Sequence, residues 1–299
     1  MAQIISDLKN GFRRGCIYIQ YIYINVAVFV ITSLLGVLFL LFNHSASSVL
    51  NYMELPASFM RYIIQPWSIF TYMFMHGGVM HLLFNMLWLY WFGGLFLNFY
   101  SAKHFRGLYW LGGILGGLCY MLAYNFFPYF SQSVDYSFLL GASASVLAIA
   151  LATAYKDPDY PIRLLFIGTV KLKYLALFMV ITDLMMITGA NAGGHIAHLG
   201  GALAGLWFAA SLSKGRDITG WFNQFLDWGN KLFAGLSGHK KKKPKMKVHY
   251  GGRADDYAYN ARKKAQADEI DAILDKLRKS GYGSLTEEEK KRLFDASQR

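Results

Sequence analysis

The feature that most restricts this chain is a repeated one. Apolar runs long enough to cross a bilayer follow one another through the first 213 residues, joined by shorter polar stretches. A spanning helix needs roughly 20 mostly apolar residues. Such runs lie at about 21–42, 78–99, 105–127, 138–155, 174–188 and 195–212, the fifth being short. A further apolar piece at about 164–170, flanked by Lys171 and Lys173, is placed at an interface or as an extension of the fifth run. The expected fold is an all-α polytopic membrane protein: a bundle of six transmembrane helices with a small soluble helical C-terminal tail.

Charge supports that division. Only 16% of residues are charged, against about 25% in an ordinary soluble domain. Residues 1–213 hold 10 Lys/Arg and 6 Asp/Glu, whereas residues 214–299 hold 20 and 12, so the net +12 sits mostly in the tail. The expected organisation is an N-terminal segment at 1–20, a six-helix domain at 21–213, an amphipathic helix and polybasic linker at 214–250, and a helical hairpin at 251–299. Cys16 and Cys119 lie in or beside apolar runs and suggest neither a disulfide framework nor a metal motif. Lys9, Arg13 and Arg14 precede a long apolar run without a small-residue cleavage pattern, so no cleavable signal peptide is expected.

The loops suggest an orientation. Short loops rich in Lys and Arg stay on the cytoplasmic side. Lys9, Arg13, Arg14, Lys103, Arg106, Lys156, Arg163, Lys171 and Lys173 all fall on one side of a six-span arrangement, and only Arg61 falls on the other. Both termini are therefore expected in the cytoplasm, in a plasma or inner membrane, with the second, fourth and sixth spans starting outside. The long connection from Asn43 to Gly77 is read as an interfacial segment of the outer leaflet. In the tail, Trp221, Phe222, Phe225, Trp228, Leu232, Phe233 and Leu236 recur at helical spacing, as in a helix lying on a membrane surface. The lysines from Lys240 to Lys247 then suit anionic lipid headgroups, at about 1 kcal/mol per charge near the surface. No nucleic-acid partner is expected. Further on, Ile270, Ile273, Leu274 and Leu277 form one stripe, Gly281-Tyr282-Gly283 breaks it, and Ser284 with Glu287 or Thr286 with Glu289 offers a capping box.

Polar groups inside membrane spans are costly and point to function. The second span carries His81 and Asn85, spaced to share a helix face, with His76 just before it. The fourth carries Ser143 and Ser145, the fifth Asp183, and the sixth His195 and His198. At 1.5 Å per residue, His81, Asn85, Ser143 and His198 all fall within roughly 5–11 Å of the outer helix ends. One layer thus receives a hydroxyl, imidazoles and an amide from three helices, as a shared polar cavity requires. A serine needs an adjacent base to become a nucleophile, a histidine can be that base, and an oxyanion needs fixed donors. Ser143, His198, Asn85 and His81 fill those roles. Gly141 and Ala144 leave room for a substrate backbone beside Ser143.

The stretch from His76 through His81 to Asn85, then Gly141-Ala142-Ser143, then Ala197-His198 followed by Gly201 and Gly205, resembles the rhomboid intramembrane serine proteases. The likeness covers about residues 20–213. It implies a six-helix rhomboid bundle that cleaves transmembrane or membrane-adjacent segments of membrane proteins, using a Ser–His dyad with no third acid and no cofactor. It implies Ser143 as nucleophile, His198 as base and His81 and Asn85 as oxyanion-hole side chains. His76, Gly141, Gly201 and Gly205 are then structural neighbours. Three positions depart from the family's common pattern: Ala144 replaces a glycine, Leu147 an aromatic residue that stacks on the base, and Ser68 the arginine of a Trp-Arg pair. Packing is therefore expected to orient His198. Ser145 is read as structural and His195 as an interfacial anchor; Asp183 is read as bonded to a neighbour or lining the cavity, with no catalytic role.

Two other functions fit parts of the sequence. A metal or haem site built from His76, His81, His195 and His198 lacks a carboxylate in the right spacing, and no HExxH pattern is present, so no metal is expected. A substrate-binding chaperone or transporter of the same fold is the remaining alternative.

Overall fold

The computed structural model describes residues 10–12, 14–45, 47–164, 168–225, 227–228 and 253–297. It divides into two compact units, Met1–Ser237 and Gly238–Arg299.

The first unit holds six long helices near the predicted runs. They are α1 (Ile17–Leu41), α2 (Val79–Phe96), α3 (Ala102–Phe126), α4 (Ser143–Lys156), α5 (Leu172–Met185) and α6 (Ala192–Ser213). Among the described residues, α1, α2, α3 and α6 are long and apolar enough to cross a membrane, while α4 and α5 have 14 residues each. α1 buries only Tyr21 and Asn25. It is tied to α3 by Asn25 Nδ2, which donates to Tyr109 Oη (3.3 Å), and by Trp110 Nε1, which donates to Tyr21 Oη (2.9 Å).

The centre of the unit is the meeting of α3, α4 and α6. From Ala144 to Ala154 every residue of α4 is buried. Small residues make that possible. A Cβ at Gly201 would stand 2.1 Å from Ala144 O, one at Gly205 2.2 Å from Ala148 O, and one at Gly116 2.6 Å from Ala144 Cβ. No side chain fits in those gaps, so the backbones of α4 and α6 touch directly, as glycine spacing permits.

The fold is not purely helical. β1 (Leu55–Pro56) pairs antiparallel with β2 (Phe138–Leu139), with Leu55 opposite Leu139. β3 (Pro161–Leu164) pairs with β4 (Gly168–Lys171), with Ile162 opposite Val170. This β3–β4 hairpin occupies the apolar stretch that the sequence placed at an interface, and it is not a helical extension of the fifth span. Pro161 and Gly168 break helical continuity there, and alternation replaces the helical period.

The α1–α2 connection does more than lie at an interface. Short helical turns at Phe59–Ile64 and Ser68–Thr71 are held by side chains. Gln65 Nε2 donates to Asn51 O (3.1 Å) and Glu54 O (3.0 Å), Trp67 Nε1 to Tyr52 O (2.9 Å), and Thr71 Oγ1 to Met53 O (2.7 Å). Through β1 and β2 the loop grips the segment leading into α4. Gly141 N–H also donates to Tyr72 O, at 2.9 Å.

After α6 the chain turns at Gly215 and begins a helical stretch at Gly220. Phe222 is buried and its ring meets Trp110 (5.3 Å), while Trp221, Phe225 and Trp228 are exposed. Arg106 donates twice to Asn223 Oδ1, at 2.9 and 2.7 Å. The apolar residues expected to continue that helix at Leu232, Phe233 and Leu236, and the Lys240–Lys247 run, lie outside the described residues.

The second unit contains α7 (Arg253–Ser280) and α8 (Glu287–Ser297), joined by a 3₁₀ turn at Tyr282–Ser284. Gly281, at φ 74°, ends α7 in the left-handed region. Of the two capping boxes the sequence offered, the structure forms that of Thr286 and Glu289. Glu289 N–H donates to Thr286 Oγ1 (3.3 Å) and Thr286 N–H to Glu289 Oε2 (2.7 Å). Ile273 and Leu285 are buried, and Lys276–Glu289 (2.9 Å) and Arg292–Glu269 pair α7 with α8.

Candidate active site

Ser143 is the first residue of α4, not a residue five places into a longer helix. Phe138–Leu139 form β2 instead, because Gly141 (φ +125°) takes a backbone conformation that L side chains rarely adopt and so halts any helix from upstream. The first helical bond runs from Val146 N–H to Ala142 O (3.0 Å). The N–H groups of Ser143, Ala144 and Ser145 therefore fall outside the ladder, as in the first turn of any helix. From the sequence, the Ser143 N–H is already expected as an oxyanion donor, but about five residues inside a longer helix; the structure puts it at the helix start, where it is unpaired by the ladder.

His81 faces Ser143 across Gly141. A Cβ on Gly141 would lie 3.1 Å from His81 Nε2 and 3.6 Å from Ser143 Oγ, so both groups border the same small space. Asn85 is buried one turn further along α2, its Nδ2 donating to His81 O at 2.9 Å. His76 packs its ring against that of His81 (5.1 Å) and accepts no role in the cavity wall. Its burial, helped by nearby His81, pushes its imidazole down to about 4.

A cavity of about 1110 Å³ joins these groups. His81, Asn85, Ser143, Asp183 and His198 all line it. Ser143 and His198 do not hydrogen-bond to each other in this arrangement. Catalytic contacts are often loose in an unliganded site. Ser145 is fully buried, and its backbone faces Gly112 of α3, so it belongs to the seam and not the cavity.

The surprise is Asp183. Its carboxylate Oδ1 lies 2.8 Å from His198 Nδ1 and 2.8 Å from His195 Nδ1. Asp183 is 6% exposed. Three expectations change. The orientation of His198 comes from a hydrogen bond and not from packing alone. His195 is not an interfacial anchor but the second partner of Asp183. A carboxylate does join a histidine pair, although His76 and His81 are not part of it. The sequence held one signal: Asp183 is the lone acid within the apolar runs of the bundle. A short α5–α6 turn folds it back onto a histidine 15 residues later, a closure that spacing alone does not reveal.

Together these features describe a polytopic helical membrane protein with a polar cavity sunk among its helices. A rhomboid domain model matches residues 64–215, half of the chain, and the chain belongs to the rhomboid family, a family of membrane proteases. Residues 255–299 match a family of unknown function, DUF6576. Over 158 residues the chain is 28% identical to RHOMBOID-like protein 12, mitochondrial, of Arabidopsis thaliana, covering 50% of this chain and 47% of that protein. It is 26% identical over 140 residues to the human presenilin-associated rhomboid-like protein, mitochondrial, covering 45% and 35%. The zebrafish (Danio rerio) presenilin-associated rhomboid-like protein A, mitochondrial, is 25% identical over 140 residues. The chain thus spans less than half the length of these relatives. Their names overturn the expected plasma or inner membrane with cytoplasmic termini and an outward-facing site, because all of them are mitochondrial. The physical reason is simple. A bias of Lys and Arg ranks two faces of a membrane but does not identify the membrane.

Proposed function

We propose that this chain is an intramembrane serine endopeptidase with Ser143 as nucleophile and His198 as general base. The observation that carries the reading is one cavity lined by Ser143, His198, His81 and Asn85, contributed by three helices. α4 and α5 complete, with the four longer helices, a six-span bundle. A transmembrane or membrane-adjacent protein segment is the substrate. It reaches Ser143 past α5, where Leu177, Phe178, Ile181 and Leu184 are exposed. The relatives' names favour a mitochondrial membrane. The Lys240–Lys247 run holds anionic lipid headgroups, and residues 251–299 form a helical tail.

The chemistry follows from the tautomer. Asp183 accepts the Nδ1 proton of His198, which leaves the Nε2 lone pair to take the hydroxyl proton of Ser143. Asp183 acts through His198 and is a positioning residue. Ser143 Oγ attacks the scissile carbonyl. The oxyanion is held by the Ser143 N–H at the α4 N-terminus, by Asn85 Nδ2 and by His81 Nε2. His198 then protonates the leaving amine, and water attacks the acyl-enzyme with His198 again as base. Leu147, buried on α4, takes the place of a stacking aromatic, and the Asp183 bond supplies the orientation that stacking would give.

The test is cleavage of a model transmembrane substrate in liposomes. Wild type cleaves it, whereas Ser143→Ala and His198→Ala do not. Cleavage that persists in Ser143→Ala would sink the reading. Binding of the substrate without cleavage by wild type would favour a substrate-binding chaperone instead.

A further inference from the structure

Asp183, His195 and His198 hold more than cleavage uses. His195 does not line the cavity, and its Nδ1 shares with His198 a single buried carboxylate oxygen. The three potential ligand atoms lie within 4.8 Å of one another. His195 and His198 are spaced i, i+3 on α6, which puts both rings on one helix face. Asp183 meets them from α5. We infer that this trio is a binding site for a zinc-class divalent transition ion that reversibly switches the protease off.

The donor set selects the ion. Two imidazole nitrogens and one carboxylate oxygen suit Zn²⁺ and its neighbours, whereas Mg²⁺ and Ca²⁺ prefer all-oxygen sites. Tetrahedral Zn²⁺ takes nitrogen at about 2.0 Å and carboxylate oxygen at about 2.0–2.2 Å, so small side-chain shifts bring the trio to bonding distance. Asp183 and His198 line the cavity, so the fourth position opens toward it and admits a water molecule.

The switch is a change of tautomer, and it rests on the reading of His198 as the base. Without metal, the His198 proton sits on Nδ1 against Asp183, and Nε2 is a free base. A metal ion bound at Nδ1 needs that nitrogen's lone pair. The single ring proton then moves to Nε2, and the same happens on His195. No proton is gained or lost. His198 now presents an N–H to Ser143 and has no lone pair with which to take the hydroxyl proton. Asp183, engaged by the ion, no longer holds the active tautomer.

The experiment uses the full chain in detergent. Active-site labelling by a fluorophosphonate is timed in EDTA and in micromolar Zn²⁺. Wild type is expected to label more slowly in Zn²⁺ by ~100-fold or more, the scale of what a positioned general base contributes, and EDTA restores the rate. His195→Gln, outside the cleavage chemistry, is expected to label with or without Zn²⁺ alike. Equal inhibition of His195→Gln and wild type overturns the proposal, as does a wild type indifferent to Zn²⁺. Binding is read separately by the visible d–d absorption of Co²⁺ on Ser143→Ala, which retains all three ligands. One band that vanishes in Ser143→Ala/His195→Gln supports the site even if wild type never labels, in which case the protease reading fails alone. Absence of the band with normal labelling overturns the metal site and leaves the protease reading standing.

Discussion

α4 and α5 are both 14 residues long and both deliver a group to the cavity, yet they are held in opposite ways. α4 buries eleven consecutive residues against α3 and α6, with glycines that leave no space for a side chain. α5 buries three: Leu172, Ala176 and Asp183. The proposed nucleophile thus starts a helix that cannot shift, and the group that orients the proposed base sits on a helix held mainly at its ends. Buried contacts set how far an element resists local opening. In the proposed reading α5 is the helix that yields to a substrate, and loss of the Asp183–His198 bond would report its displacement.

That contrast is open to attack at several points. The largest effect is expected from Gly201→Leu. A side chain there meets Ala144 O at 2.1 Å and drives α6 off α4, and overpacking of this kind costs about 1–3 kcal/mol or more. Little folded protein should be recovered on size-exclusion chromatography, and a monodisperse, active variant would mean that the α4 seam is softer than described. Asp183→Asn should keep its melting temperature within a few degrees. Its turnover number should fall by ~100-fold or more with KM nearly unchanged, since an amide does not enforce the Nδ1–H tautomer. A rise in KM alone would make Asp183 part of the substrate path and not a positioning residue.

A smaller effect concerns His76, 8% exposed at the foot of α2. Its folded value of about 4 lies below the ordinary 6.5, so the unfolded chain binds the extra proton between the two. Stability is fully present above about pH 6.5 and is lost as pH falls toward about 4, by up to about 3 kcal/mol from this group. Thermal unfolding at pH 7 and pH 4.5 should show a smaller acid-induced drop in His76→Gln than in wild type. The smallest change is expected on the outer face of α5. Leu177→Ala, at a 55% exposed position, should alter stability within about 0.5 kcal/mol. A loss on the scale of a core truncation, about 2–5 kcal/mol, would show α5 to be as firmly packed as α4.

The same contrast explains what could be read from the sequence. The helices were legible because each is a long apolar run, and Ser143, His81, Asn85 and His198 stood out as polar groups at one depth. Two features were not. The start of α4 at Ser143 depends on Gly141 and on β1 pairing with β2, a contact between segments more than 80 residues apart that leaves no local periodicity. The role of Asp183 depends on the turn between α5 and α6 bringing an acid back onto two histidines. A lone acid in an apolar run announces that it has a partner but does not say which one.

The central claim is that Ser143 and His198, oriented by Asp183, form one reactive unit. The most direct measurement is fluorophosphonate labelling of the full chain in detergent, with mass spectrometry of the modified peptide. The account predicts a single adduct on Ser143, formed in wild type, slowed in Asp183→Asn and absent in His198→Ala. Labelling of Ser145 or of no serine in wild type, or unimpaired labelling of Ser143 in His198→Ala, would contradict it.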